Sequence, residues 1–101
     1  MSLVGDPRSQ PFLHNGLRGV GFGMVTNGGG PRERVRVIVT FEALAEAGHV
    51  EIIRFPEALA CFDVLRSRVE AAASTKFDRI AATVQPFEGE PTILLMTGEA
   101  M

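Results

Sequence analysis

The chain has 101 residues, the size of one domain, of which 46% are apolar and 22% are charged. Ten basic residues stand against twelve acidic ones, and the resulting net charge of −2 argues against a dedicated nucleic-acid binder. One cysteine excludes an internal disulfide, and no apolar run is long enough for a signal peptide or a membrane span. We therefore expect a soluble cytoplasmic protein.

The first segment, residues 1–16, is rich in Pro, Gly, Asn and Ser, which predicts a flexible N-terminal arm. A single α+β domain is predicted over residues 17–99. It begins with two segments of period-two alternation, which is typical of strands. Gly28–Gly30 lie between these segments and favour a hairpin turn, since glycine adopts positive φ at little cost.

The apolar residues of the two segments also predict the register of the hairpin. If Thr26 pairs with Glu33, all the large apolar residues fall on one face, because cross-strand partners share a face. The predicted pairs are Met24 with Val35, Phe22 with Val37, and Val20 with Val39. A slip of one residue would expose half of this set. The opposite face then carries Gly19, Gly21 and Gly23.

Two helices are predicted after the hairpin. Thr40 is suited to cap a short helix, "FEALAEAG", that ends at Gly48. The following "HVEIIRF" is either a connector or a short strand. From Pro56 onward, apolar residues recur every three or four positions as far as Ala81, which predicts a long amphipathic helix.

The C-terminal part is punctuated by two prolines and a glycine before "TILLMT", which predicts a final strand. The preceding "ATVQ" is a candidate hairpin partner for that strand. The predicted fold class is thus α+β. A small antiparallel β-sheet, made of the N-terminal hairpin plus a C-terminal strand or hairpin, packs against one long amphipathic helix and one short helix.

This order of features resembles a bacterial family of uncharacterised proteins, domain of unknown function 1488. The shared features are a Phe in the first strand ("GVGFGM"), a valine-rich second strand, an "EAL" helix start at Glu42, and "KF" at Lys76. The long helix carries the pattern F-x-x-x-R-x-x-(I/V)-E-x-x-A at Phe62, Arg66, Val69, Glu70 and Ala73. The resemblance covers residues 11–99. The acidic residue that usually follows the last strand is displaced here to Glu99. The resemblance implies a small α+β fold and brings no established activity, substrate or cofactor.

The glycine-rich turn does not match a nucleotide-binding loop. The Walker pattern G-x-x-x-x-G-K-S/T requires a lysine that does not follow these glycines, and a strand rather than a helix follows Gly30. We also predict no metal site, because His14, His49 and Cys61 do not have the spacing that preorganises metal ligands. No cofactor is therefore expected.

Catalytic residues are not predicted either, although an enzyme with unfamiliar residues stays an alternative. Cys61 is flanked by apolar neighbours, which favours a packed thiol over a nucleophile. Asp63, Arg66 and Glu70 share a helix face, where a solvated ladder of charges is more common than a catalytic pair of carboxylates.

Three arginines form the candidate anion-binding site. Arg32, Arg34 and Arg36 alternate along the second strand, about 7 Å apart on one face. The preferred interpretation is a non-enzymatic binding or protein-interaction module, and the alternative is a weak binder of nucleic acid or another polyanion through this arginine strip. The partner is either an unknown protein or a second copy. A homodimer is expected through the glycine-lined face or an open sheet edge.

Overall fold

The computed structural model describes residues 3–5, 9–16, 18–26, 32–49, 51, 55–80, 86–87 and 90–96. These residues form six strands and two helices. In chain order they are β1 (Leu3–Gly5), β2 (Phe12–His14), β3 (Gly19–Thr26), β4 (Arg34–Thr40), α1 (Phe41–Gly48), α2 (Phe55–Ile80), β5 (Pro86–Phe87) and β6 (Glu90–Leu95). The sheet has the order β1-β3-β4-β6-β5, and β2 also pairs with β3. The predicted α+β class is confirmed.

The hairpin of β3 and β4 has the register that the sequence predicts. Phe22 lies opposite Val37, with the neighbouring apolar pairs in step on either side. Where the hairpin closes, the Thr26 amide donates to the Glu33 carbonyl and the Glu33 amide donates to the Thr26 hydroxyl, both at 2.9 Å. The predicted turn at Gly28–Gly30 lies outside the described residues.

The sheet is mostly antiparallel, as predicted, and differs from the prediction at one strand pair. β6 runs parallel to β4, with Val37 opposite Ile93 and Val39 opposite Leu95. Between these two strands the chain passes through both helices, which pack on the sheet. Such a crossover allows the next strand to start again at the same end of the sheet, so the pair is parallel. β5 then forms a short antiparallel pair with β6.

The N-terminal segment also differs from the prediction of a flexible arm. Its two three-residue strands, β1 and β2, both pair antiparallel with β3 and together line its outer edge. The physical reason lies in distant partners. Leu3 is fully buried in the core, and its amide donates to the Ser74 hydroxyl of α2 at 3.3 Å. A local composition rich in turn residues does not reveal such contacts.

The two helices begin and end where the sequence places them, within about a residue. The Thr40 side chain accepts the Ala43 amide at 3.1 Å and caps α1. His49 ends this helix in the left-handed conformation, with φ of 55°, and its amide donates back to the last turn. No helix in the described part of the chain has the length and apolarity needed to span a bilayer.

The hydrophobic core lies between one face of the sheet and the two helices. α2 contributes a buried stripe at three- and four-residue spacing: Ala58, Phe62, Leu65, Val69 and Ala73. The Phe62 ring packs on the Phe22 ring with centroids 5.0 Å apart. Both helices thus cover what we call the core face, and the opposite side of the sheet, the outer face, bears the glycines.

Two predicted features, a short strand in "HVEIIRF" and "ATVQ" as a hairpin partner, fall largely or wholly outside the described residues.

Candidate functional site

The outer face is organised as rows of residues that run across the strands. The central row consists of Phe12, Gly21, Ile38 and Leu94, on β2, β3, β4 and β6 in turn. The Phe12 ring lies directly over Gly21, in the space that any side chain at that position would occupy. An aromatic ring from an edge strand therefore covers the bare backbone of a glycine, and the fully buried Ile38 is the next residue along the row.

Large apolar side chains remain accessible on this face. Phe12 is 39% exposed, and Met96, directly after β6, is 53% exposed. Val25 and Leu94 are half-buried. Phe12 and Leu94 belong to the central row and Val25 and Met96 lie in other rows, so the outer face carries accessible apolar side chains that the two helices do not cover. Accessible patches of this kind commonly mark interaction sites.

The arginine strip is less regular than its sequence predicts. Arg32 precedes β4, which starts at Arg34. Arg36 is half-buried, and its Nε and a terminal nitrogen both donate to the Thr92 hydroxyl of β6 at 3.3 Å. The exposed Arg34 folds across the sheet, and its guanidinium lies over Gly23. The three side chains thus have three different environments, and whether they bind an anion stays a prediction.

The glycines are consequently not open to a second chain. Phe12 fills the space above Gly21, Arg34 fills the space above Gly23, and a side chain at Gly19 would meet the Val39 carbonyl and Ile38. A second copy therefore does not have the space at these glycines that a close approach to the sheet would require. The side chains of Phe12 and Met96 remain accessible on the same face.

A polar stripe on α2 holds the N-terminal segment. Arg66, Glu70 and Ser74 follow each other at four-residue spacing, which places them along one side of the helix. Arg66 pairs with Glu70 at 3.4 Å and donates to the Ser9 carbonyl at 3.4 Å. The Glu70 carboxylate lies against Gly5.

Arg66 and Ser9 also contact other parts of the structure, the core rings and strand β3 respectively. The Arg66 guanidinium also sits 5.6 Å from the centre of the Phe62 ring and 5.9 Å from that of Phe22. The Ser9 hydroxyl accepts the Gly23 amide at 2.6 Å, at the interruption between β1 and β2. The predicted solvated ladder therefore describes Asp63, which is exposed, but not Arg66 and Glu70.

Cys61 is a packed residue, as the sequence predicts. Its thiol is half-buried against the core and donates to the Leu44 carbonyl at 3.4 Å. Burial raises the pKa of this thiol from its ordinary value of 9.0. A raised pKa leaves less thiolate at neutral pH, and this works against a nucleophilic role.

Cys61 lies in a groove between the end of α1 and the first half of α2. The groove has a volume of about 570 Å³. Ala47 and Gly48 form one wall, and Ala60, Cys61 and Leu65 lie on the α2 side. Val64, which borders the groove, is 84% exposed. This surface belongs to the helix layer and lies on the opposite side of the molecule from the outer face.

The two histidines lie in different elements. His14 is the last residue of β2 on the outer face, whereas His49 ends α1. Among the described residues, no group of three or more His, Cys, Asp or Glu side chains is placed to hold a metal ion.

The overall architecture matches a solved structure. A protein of unknown function of the DUF1488 family from Shewanella loihica superposes with a TM-score of 0.66 over 91% of this chain and 91% of that one, at 15% identity. The chain has the DUF1488 fold. The resemblance read from the sequence is thereby confirmed at the level of the fold. Comparison with family models and with curated proteins gives no match.

The structure gives a role to each residue of the long-helix pattern that resembles DUF1488. Phe62, Val69 and Ala73 are core residues, while Arg66 and Glu70 hold the N-terminal segment. The sequence does not identify Phe12 as a residue of the outer face, because the composition of its segment predicts an arm. The available signal was the row of alternating glycines, since a glycine inside a strand often marks the close approach of another group.

Proposed function

We propose that this protein is a small cytoplasmic protein-interaction module without catalytic activity, and that the outer face of its sheet binds the partner. One observation carries the proposal. The Phe12 ring, 39% exposed, lies over Gly21 in the same cross-strand row as Ile38 and Leu94, on the side that the helices leave uncovered. An accessible aromatic side chain beside other apolar residues is the kind of residue that dominates protein interfaces.

The charges of this face define the chemistry of the partner. On the outer face the central strands β3 and β4 carry Arg34 and Arg36 and no carboxylate. The exposed Arg34 guanidinium lies over Gly23, one row away from the Phe12 ring. A complementary partner is a polypeptide segment with one or two large apolar side chains and an Asp or Glu close by. The apolar contacts supply most of the affinity, and the charge pair fixes orientation and register.

Polyanion binding through Arg32, Arg34 and Arg36 is the alternative function. Three arginines that each neutralise one phosphate give a slope of about −2 to −3 in log affinity against log salt, which corresponds to weak binding. The net charge of −2 opposes long-range attraction of a polyanion. The Thr92 bonds of Arg36 further reduce its freedom to follow a phosphate backbone. These points favour a polypeptide partner.

A peptide-display selection tests the proposal. The wild-type protein is expected to enrich sequences that combine large apolar residues with a nearby carboxylate. A synthetic peptide of the enriched sequence is then titrated against variants. Phe12→Ala and Arg34→Ala are each expected to raise the Kd tenfold or more, because each removes one half of the recognition surface. Arg79→Ala, which removes an exposed arginine from the last turn of α2, is the matched control and leaves the Kd unchanged.

Two results would overturn this function. One is an enriched peptide whose affinity does not depend on Phe12 or Arg34. The other is micromolar or tighter binding of single-stranded RNA or duplex DNA at physiological salt that the triple variant Arg32→Ala, Arg34→Ala, Arg36→Ala loses. The second result would establish the polyanion alternative, and circular dichroism of the triple variant verifies that it is folded.

A further inference from the structure

The side of α2 that lines the groove described above carries a charged residue at each end and mainly apolar residues between them. From the N-terminal end of the helix, the groove-lining residues are Glu57, Ala60, Cys61, Val64, Leu65 and Arg68. Their spacing of three, one, three, one and three residues keeps them on one side of the helix over about three turns. A carboxylate therefore stands at one end of the apolar stripe and a guanidinium at the other.

This arrangement is complementary to itself. When two such helices lie antiparallel about a two-fold axis that passes between positions 62 and 63, each residue of the stripe faces a suitable partner. Glu57 of one copy faces Arg68 of the other, and Cys61 of one copy faces Val64 of the other. Ala60, which is small and exposed, faces Leu65, most of whose side chain is buried in the core. A two-fold interface needs this property, because the same patch must serve both subunits.

The shape of the surface fits the same arrangement. Val64 is 84% exposed, the most exposed of the large apolar residues in the described part of the chain. Beside it lies the groove of about 570 Å³, bounded on its other side by Ala47 and Gly48 of α1. Helices pack at 8–10 Å when the side chains of one enter the depressions of the other. Val64 is the protruding side chain that such a contact needs, and the groove, bounded by the small residues Ala47 and Gly48, is the depression that receives it.

We propose that two copies of this chain form a homodimer through antiparallel packing of their α2 helices. Val64 of each copy enters the groove of the other, and Glu57 pairs with Arg68 across the interface at both ends. Glu51, which also lines the groove and is exposed, adds a second carboxylate at the end that receives Arg68. The homodimer expected from the sequence is thus assigned to the helix layer rather than to the glycine-lined face. This inference does not depend on the proposed function of the outer face, which the dimer would leave accessible in both copies.

Sedimentation equilibrium between about 1 and 100 μM tests the dimer. The wild type is expected to approach twice the 10.9 kDa of the chain as its concentration rises. Val64→Asp places a charge at the centre of the contact and is expected to leave a monomer at all concentrations. Since Val64 is exposed, this change does not disturb the core. Ala71→Asp, at an exposed position of the same helix outside the groove, is the matched control and retains the dimer.

Charge exchange tests the antiparallel register. Glu57→Arg and Arg68→Glu are each expected to raise the dimer Kd at least tenfold, because each brings like charges together at both ends of the interface. The double variant that carries both changes restores opposite charges, and its Kd is expected to return to within about threefold of the wild-type value. Alkylation of Cys61 is expected to slow as wild-type protein dimerises, and to be independent of concentration in Val64→Asp.

Three results would overturn the proposal. They are a wild-type monomer at 100 μM, a dimer that persists in Val64→Asp, and a double charge variant that is no tighter than the single ones. The last result would exclude this register even if the α2 helices meet.

Discussion

Replacing Phe22 with alanine removes a fully buried ring from the layer between the sheet and α2. Truncation of a core phenylalanine costs about 3–5 kcal/mol, since the apolar contacts are lost and a cavity remains. Here the lost contacts include the Phe62 ring, 5.0 Å away, and the Arg66 guanidinium, 5.9 Å away. The total stability of a domain is about 5–15 kcal/mol, so this change removes a large part of the margin.

Phe12→Ala is the matched comparison, because it removes the same ring from the opposite face of the same sheet. Phe12 is 39% exposed and buries correspondingly less apolar area, so the expected cost is about 1–2 kcal/mol. In urea, with a slope of about 2 kcal/mol per M, the unfolding midpoint falls by roughly 2 M for Phe22→Ala and by less than about 1 M for Phe12→Ala. The transition is followed by circular dichroism. Equal losses, or a larger loss at Phe12, would refute the assignment of the core and outer faces.

Three further changes test individual contacts. Thr40→Ala removes the side chain that accepts the Ala43 amide, and the free energy of unfolding, measured in urea, is expected to fall by about 1 kcal/mol. Thr40→Ser is expected to keep most of this stability. An equal loss in both variants would contradict a capping role. Ser74→Ala removes the acceptor of the Leu3 amide, so limited proteolysis of the N-terminal segment is expected to be faster, and an unchanged rate would show that this bond does not hold β1. Cys61 is expected to react with iodoacetamide more slowly than free cysteine between pH 7 and 8.5, because its raised pKa lowers the thiolate fraction. In urea the same thiol is expected to react rapidly. Fast labelling of the native protein would support a nucleophilic role.

Local sequence patterns alone determine the two helices and the β3–β4 hairpin. The period-two alternation of Val20, Phe22 and Met24 and of their partners on β4 predicts the register, because cross-strand neighbours share a face and only one register unites the large side chains. The threonine before "FEALAEAG" and the three-to-four spacing after Pro56 likewise predict both helices. These features depend on backbone geometry over a few residues, which the sequence expresses directly.

Tertiary structure alone decides how distant elements meet. Nothing local distinguishes a parallel from an antiparallel β6, because its direction depends on where α2 ends after crossing the sheet. The composition of residues 1–16 indicates a loop, yet part of this segment is held against β3 and α2. Leu3 is buried and its amide donates to the Ser74 hydroxyl, and Arg66 donates to the Ser9 carbonyl. The outer face arises in the same way, since Phe12 covers Gly21 only after a strand pairing that joins remote parts of the chain. Such contacts depend on the fit of surfaces from distant parts of the chain, and no short window of sequence contains both partners.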